Sequence, residues 1–367
     1  MKVLRLSHSG VVDAWRERER ELRRRGVDVR LLSARRWYEG GQDVPLRPRP
    51  GEDVVGVRTW GTHPALFVWD PIALWRELGA DVDVLDIHEE PFALATWQVL
   101  VTRRLRRVLT RRPARLAPFV VYSAQNLDKR YPPPFRWIQR WVLRDAAGVS
   151  VCNTEAGEIC RDRGLTGQVA VIPLGIDPTE LTPDPDAAPA TDRVVVGYAG
   201  RFEEAKGLRV LLDAVRDEPR LELVLAGGGT LADEVAAASE ATDGRIRSVG
   251  ALDVDALPGF YRGLTVLAVP SLTTPAWVEQ FGRVVAEAMA CGVPVVAARS
   301  GALPDVVADA GVLVDEGDPA ALREALLAVG SDPALWSRLR TAGLARAERF
   351  TWGAVADAYL ELYERVT

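Results

Sequence analysis

Glu279 and Glu287 stand with seven residues between them, and their type and spacing invite chemistry. An ionised carboxylate accepts two hydroxyl hydrogen bonds at once, which is what recognition of a ribose or hexose demands. The pair brackets Phe281-Gly282, where the pattern turns helical, and the unpaired N–H groups of a first helical turn can meet hydroxyls. Glu287 lies between Ala286 and Ala288. A carboxylate among apolar neighbours costs free energy unless it is paired or ligated. No packing partner is visible in the sequence, so Glu287 is expected to hold ligand hydroxyls.

A second constellation is Gly197-Tyr198-Ala199-Gly200-Arg201-Phe202-Glu203-Glu204-Ala205-Lys206-Gly207. Small residues let a backbone approach a ligand, and Arg201 and Lys206 place two positive charges near a helix start, which suits a diphosphate. Lys206 is one of three lysines in the chain. The plain alternative is a solvated helix start. Gly227-Gly228-Gly229 serves either close backbone approach or a tight turn. Two of the three histidines, His8 in Ser7-His8-Ser9-Gly10 and His88 in Asp86-Ile87-His88-Glu89-Glu90-Pro91, also follow apolar runs. Ligands bind past the carboxyl ends of strands in open parallel sheets, although an imidazole there can equally be satisfied by backbone.

These groups need elements that end in the right places. Apolar runs at Val3–Leu6, Val29–Leu32, Val54–Val57, Val82–Ile87, Phe119–Ser123, Gly148–Cys152 and Val169–Ile172 alternate with helical patterns, as in parallel sheets covered on both faces. The alternation restarts with Val194–Tyr198, Leu221–Ala226, Ile246–Val249, Val266–Val269, Pro294–Ala297 and Val312–Val314. Between the two series lies a stretch with Pro178, Pro183, Pro185 and Pro189. The expected organisation is therefore a first domain over 1–175, a linker over 176–192 and a second domain over 193–351. A final helix over about 352–367 is a candidate to pack back on the first domain.

The 367 residues carry a net charge of −5, which hides an asymmetry: residues 1–150 balance at +9 and the remainder at −14. The first half is the one suited to an acidic partner. Arg103, Arg104, Arg106, Arg107, Arg111, Arg112 and Arg115 run beside Leu100, Val101, Leu105, Val108 and Leu109, a basic amphipathic helix whose apolar stripe should lie on the domain core or on an anionic membrane. Cys152, Cys160 and Cys291 are too scattered for a disulfide framework or zinc site and read as buried small hydrophobes. The start of the chain lacks the apolar h-region of a secretion signal, so a cytoplasmic location is expected, with peripheral contact at the inner face of the membrane as an option.

The run from Glu279 to Val296 resembles the E-x7-E signature of retaining GT-B glycosyltransferases, family 4, and Gly200-Arg201 with Lys206 resembles the same family's diphosphate-binding residues. Ser7-His8-Ser9-Gly10 resembles the family's glycine-bearing loop that faces the donor diphosphate. Asp86 to Pro91 is similar to its H-E-P segment, whose histidine lies beside the transferred sugar, and Val249-Gly250-Ala251-Leu252 to the backbone that frames the nucleobase. Leu272 to Val278 is inserted before Glu279, as in a subgroup with T-T-P-x-W-x-E-Q-F-G segments. The resemblance implies an α/β chain of GT-B fold, with two Rossmann-like parallel-sheet domains facing each other across a cleft.

It also implies catalytic roles for His88, Arg201, Lys206 and Glu279. Donor binding would fall to Gly10, Gly200, Val249, Leu252, Phe281, Gly282 and Glu287. The implied reaction moves a hexose-type sugar, with retention, from a nucleotide-diphosphate sugar to an acceptor hydroxyl in glycoconjugate, polysaccharide or natural-product biosynthesis. Neither metal nor cofactor is expected, and Asp81-Val82-Asp83 reads as surface. The base and the acceptor stay open, the acceptor being a sugar, a lipid-linked group or a small molecule; nucleic acid is not expected. A nucleotide-sugar 2-epimerase and a catalytically silent binding module are the rivals. Asn126 to Trp137, rich in aromatics and cations, is expected either to line an acceptor groove or to pack under the next helix.

Overall fold

The computed structural model describes residues 1–39, 42–110, 116–187 and 193–367. Arg111, Arg112 and Arg115 of the basic segment, and Pro189 of the linker, lie outside the described residues. By internal contacts the chain divides into two units, Met1–Gly175 with Trp352–Thr367, and Ile176–Thr351.

In the first unit the strands are β1 (Lys2–Ser7), β2 (Asp28–Ala34), β3 (Arg36–Glu39), β4 (Gln42–Pro45), β5 (Val54–Val57), β6 (Thr59–Trp60), β7 (Val68–Trp69), β8 (Val84–Ile87), β9 (Phe119–Ser123), β10 (Gly148–Val151) and β11 (Gln168–Val171). Its helices are α1 (Glu17–Arg24), α2 (Pro71–Glu77), α3 (Leu94–Leu109), α4 (Phe135–Asp145) and α5 (Thr154–Asp162). Seven strands form one parallel sheet in the order β11-β10-β9-β8-β1-β2-β5. Their near-continuous apolar runs follow from burial on both faces. Leu4, Leu6, Ile87 and Val121 pack with Val99, Leu100 and Val142 of α3 and α4, while Val3, Val29 and Val84 pack with Val355, Tyr359 and Leu362 of the C-terminal helix Trp352–Val366. The antiparallel pairs β3/β4 and β6/β7 were not anticipated. They are too short to show periodicity, yet they carry Trp37 and Trp69 into the core.

On the side covered by the C-terminal helix, Arg5 is fully buried. Its guanidinium meets Asp86, Glu19 (3.0 Å) and the Tyr363 hydroxyl (3.2 Å), and Tyr363 also donates to Asp86. Burial works against the charge of Arg5, but these partners outweigh it and raise its pKa.

Helix α3 corrects one expectation. Leu100 is buried, but Leu105, Val108 and Leu109 are 52%, 72% and 69% exposed. The arginines are the tethered side chains: Arg103 donates to the Ala117 carbonyl, Arg104 pairs with Asp145, and Arg106 donates to the Trp75 carbonyl at 2.9 Å. Beyond Leu100 the apolar stripe therefore leaves the core, because the buried arc of the helix passes through Ala95, Val99 and Arg103 instead. Asp83, of the Asp81-Val82-Asp83 segment, accepts the Lys2 N–H at 2.7 Å.

The second unit has the strands β12 (Val194–Ala199), β13 (Leu221–Ala226), β14 (Ile246–Gly250), β15 (Val266–Val269), β16 (Val295–Ala298) and β17 (Val312–Val314). Its helices are α6 (Leu208–Arg216), α7 (Ala232–Ala241), α8 (Leu257–Arg262), α9 (Arg283–Ala290), α10 (Leu303–Val307), α11 (Pro319–Ser331) and α12 (Pro333–Ala347), and the C-terminal helix becomes α13. The parallel sheet runs β14-β13-β12-β15-β16-β17. Strand order thus reverses between β12 and β15, as it does between β1 and β8 in the first unit, and such switch points open a crevice at the strand ends. The three cysteines are buried thiols, and burial pushes them up to about 11, 12 and 11 for Cys152, Cys160 and Cys291.

Candidate active site

Each sheet places an acid and a base together at its switch point. In the second unit the turn after β12 ends on Gly207, whose φ is +69°. A Cβ there would lie 1.7 Å from the Pro270 carbonyl oxygen, so only glycine lets this turn press against the end of β15. The approach brings the Lys206 ammonium to 2.7 Å from Glu279 Oε2, which also accepts the Ser271 hydroxyl at 3.1 Å. Glu279 is itself buried, and its carbonyl accepts the Ala302 N–H at 3.0 Å. Arg201 is 63% exposed and pairs with Glu203 at 2.7 Å.

Two of the three glycines after β13, Gly227 and Gly229, are required by the close approach of the neighbouring turn, whereas a Cβ on Gly228 would meet open space. A Cβ on Gly227 would sit 1.9 Å from the Gly200 oxygen, and one on Gly229 would sit 2.7 Å from the Phe202 oxygen. Two backbone bonds, Gly200 N–H to the Ala226 carbonyl (3.0 Å) and Phe202 N–H to the Gly228 carbonyl (2.8 Å), lock the two turns together. The Gly250 carbonyl is taken by the Gly227 N–H at 2.8 Å, Val249 is exposed, and Leu252 is half-buried beyond it.

Gly282 caps α9 in a left-handed conformation, φ +79°. Phe281 is 3% exposed with its ring edge-on to Phe350, so its side chain serves packing. Glu287 needs correction: it does have packing partners. The buried Tyr261 hydroxyl donates to Oε2 at 2.7 Å, and Arg283, one turn earlier, lies 2.9 Å from Oε1. Tyr261 sits on α8, far from α9 in sequence, and no local signal could have announced it.

In the first unit Glu89 grips His8 twice: Oε1 accepts its N–H at 2.7 Å, and Oε2 lies 2.6 Å from its Nδ1. Gly10 is buried, because a Cβ would fall 2.8 Å from Ser33 Oγ, and its carbonyl accepts from Arg16 at 2.9 Å. His88 continues β8, donating its N–H to the Leu6 carbonyl at 2.8 Å, and its ring lies against Tyr122 with centroids 4.1 Å apart. Its Nδ1 is buried without a hydrogen-bond partner among the described residues. Burial, then Arg5 and Arg18, hold its pKa well below the ordinary value, so the ring is neutral. Glu90 accepts from Ser123 Oγ (2.8 Å) and the Ala124 N–H (2.9 Å), and burial pushes its carboxyl up to about 7.

The segment after β9 packs and lines at once. Tyr131 stacks on Phe92, with centroids 4.2 Å apart. Beside it lies a recess of about 350 Å³ lined by five cations, Lys129, Arg130, Arg136, Arg140 and Arg163, against two acids, Asp128 and Asp162.

Two parallel-sheet Rossmann-like units, each with a reversal of strand order, have the GT-B fold of solved glycosyltransferases. Sucrose-phosphate synthase from Thermosynechococcus elongatus superposes with a TM-score of 0.71 at 21% identity, over 99% of this chain and 98% of that one. Anabaena HepE, solved in complex with UDP, gives 0.71 at 19% identity over 98% and 99%. Residues 9–180 match the family described as Glycosyltransferase Family 4, and residues 193–332 the one described as Glycosyl transferases group 1. Between them the two matches span most of the chain, and both are to glycosyltransferase families. A D-inositol 3-phosphate glycosyltransferase of Corynebacterium jeikeium is 29% identical over 94% of this chain and 89% of its own length. One of Xylanimonas cellulosilytica is 35% identical over 62% and 58%.

Proposed function

We propose that the protein transfers a hexose-type sugar, with retention and without a metal, from a nucleotide-diphosphate sugar to an acceptor hydroxyl on a phosphate-bearing molecule. The observation that carries this reading is the Lys206 ammonium, fixed by Glu279 at the β12/β15 switch point. Sugar transfer builds negative charge on the departing diphosphate, and a preorganised cation in a crevice stabilises that charge without reorganising. Arg201, on the same turn, adds a second positive charge. In this mechanism the leaving phosphate takes the acceptor's proton on the same face of the sugar. The Glu287 carboxylate, oriented by Tyr261 and Arg283, is placed to accept ribose hydroxyls, and Val249 to Leu252 offer backbone to the base. His88, as a neutral imidazole, hydrogen-bonds the transferred sugar.

Support for the donor comes from HepE, solved with UDP and with UDP-glucose. Support for a phosphorylated acceptor comes from the relatives' name, D-inositol 3-phosphate glycosyltransferase, and from the excess of cations around the Arg136 recess. Incubating the protein with UDP-, GDP- and dTDP-hexoses, with phosphorylated or unphosphorylated polyols, tests the whole reading. Slow donor hydrolysis that becomes transfer with the phosphorylated polyol is expected. Epimer formation would instead establish the 2-epimerase, and an unchanged donor the silent binding module.

The exposed Leu105, Val108 and Leu109 among arginines also favour peripheral contact with the anionic inner face of a membrane from a cytoplasmic enzyme. No helix among the described residues is long and apolar enough to cross a membrane. Co-sedimentation with anionic vesicles is expected at low salt and should fall steeply as the Debye length shortens to ~8 Å near physiological salt. Changing the three apolar residues to serine should abolish it. Absence of low-salt binding by the wild type would remove the membrane from this reading.

A further inference from the structure

The insertion between β15 and α9 is built with more hydrogen bonding than a spacer needs. Thr274 and Trp277 close a turn on each other: Thr274 N–H donates to the Trp277 carbonyl at 2.8 Å, and Trp277 N–H donates to Thr274 Oγ1 at 2.9 Å. The neighbouring Thr273 is pinned to Glu316, past β17, through its N–H and its hydroxyl, both at 2.6 Å. The turn delivers the Trp277 indole over Lys206, with Nζ 4.4 Å from the ring centroid.

We propose that Trp277 is a positioning residue that holds the Lys206 ammonium for the donor diphosphate, which rests on the reading of Lys206 given above. Gly207 fixes the backbone beside Lys206, but four rotatable bonds separate that backbone from the charge. Glu279 restrains the ammonium on one side and neutralises it. A second carboxylate would restrain it further but would repel a diphosphate. An indole face attracts a cation through its quadrupole while bringing no net charge and no strong acceptor to compete with phosphate oxygens. The insertion thereby gains restraint without losing positive potential.

The test uses the full chain and titration calorimetry with UDP, GDP and dTDP, each beside its monophosphate, alongside donor turnover. For the diphosphate that binds tightest, Trp277→Leu should weaken affinity roughly tenfold and lower kcat. The matching monophosphate should bind within about twofold of wild type, and Trp277→Phe should restore most of the loss because it keeps an aromatic face. In a Lys206→Ala background, Trp277→Leu should add nothing further, since the two residues act as one unit. Equal losses of mono- and diphosphate, additive losses in the double variant, or wild-type behaviour of Trp277→Leu would each overturn the proposal. Undiminished diphosphate binding by Lys206→Ala alone would overturn instead the reading of Lys206 on which it rests.

Discussion

Lys206→Ala is expected to lower kcat by about 10²–10³-fold, the usual consequence of removing one preorganised group that stabilises developing charge. The loss should appear mainly in kcat, because the charge matters most as the diphosphate departs. Fold stability should change far less. Glu279 keeps the Ser271 hydroxyl and its backbone bond to Ala302 when the lysine is gone. Steady-state turnover with the preferred donor, beside thermal unfolding of the same sample, separates the two effects. Near-normal kcat would mean that the Lys206–Glu279 pair is structural.

The second large effect concerns stability, in the first unit. Arg5→Met should cost about 3–5 kcal/mol, because it leaves buried carboxylates without one of their cations. Asp86 and Glu19 are 0% and 1% exposed, and Tyr363 and Arg18 cannot replace the lost guanidinium. The pH dependence should change with it. In the wild type Glu19 feels burial, which raises its pKa, but Arg18 and Arg5 lower it more, so the folded value lies below the ordinary 4.5. Such a group contributes stability above about pH 4.5 that is lost as pH falls through the folded value. With Arg5 gone, that contribution shrinks, and acidification should cost the variant less than the wild type. Urea midpoints at pH 7 and pH 4 would show both the loss and its narrowing; equal midpoints at pH 7 would refute the assignment.

Most of the sheet framework was legible along the chain. The runs Val3–Leu6, Phe119–Ser123 and Leu221–Ala226 announced strands because a parallel strand is buried on both faces and must be apolar throughout. The turns holding Arg201, Lys206 and Glu279 were legible too, since glycine, charge and helix onset sit next to one another there. Glu287 was readable as a carboxylate in apolar company, but its partner Tyr261 was not. The hairpins that carry Trp37 and Trp69 were missed because two to four residues cannot display a period.

What the sequence determined by itself is therefore local: which segments are strands, which turns carry charge, and which carboxylates require a partner. Tertiary structure decided the pairings. Lys206 and Glu279 are 73 residues apart and His8 and Glu89 are 81 apart, yet each pair meets at 2.7 Å or less. The reason is topological: β12 with β15, and β1 with β8, become neighbours only when strand order reverses, so residues that follow distant strands share one crevice. The exposure of α3 was likewise decided in three dimensions. Its composition offered two faces that could be buried, and the neighbours accepted the face bearing Val99 and Arg103, leaving Leu105, Val108 and Leu109 outside.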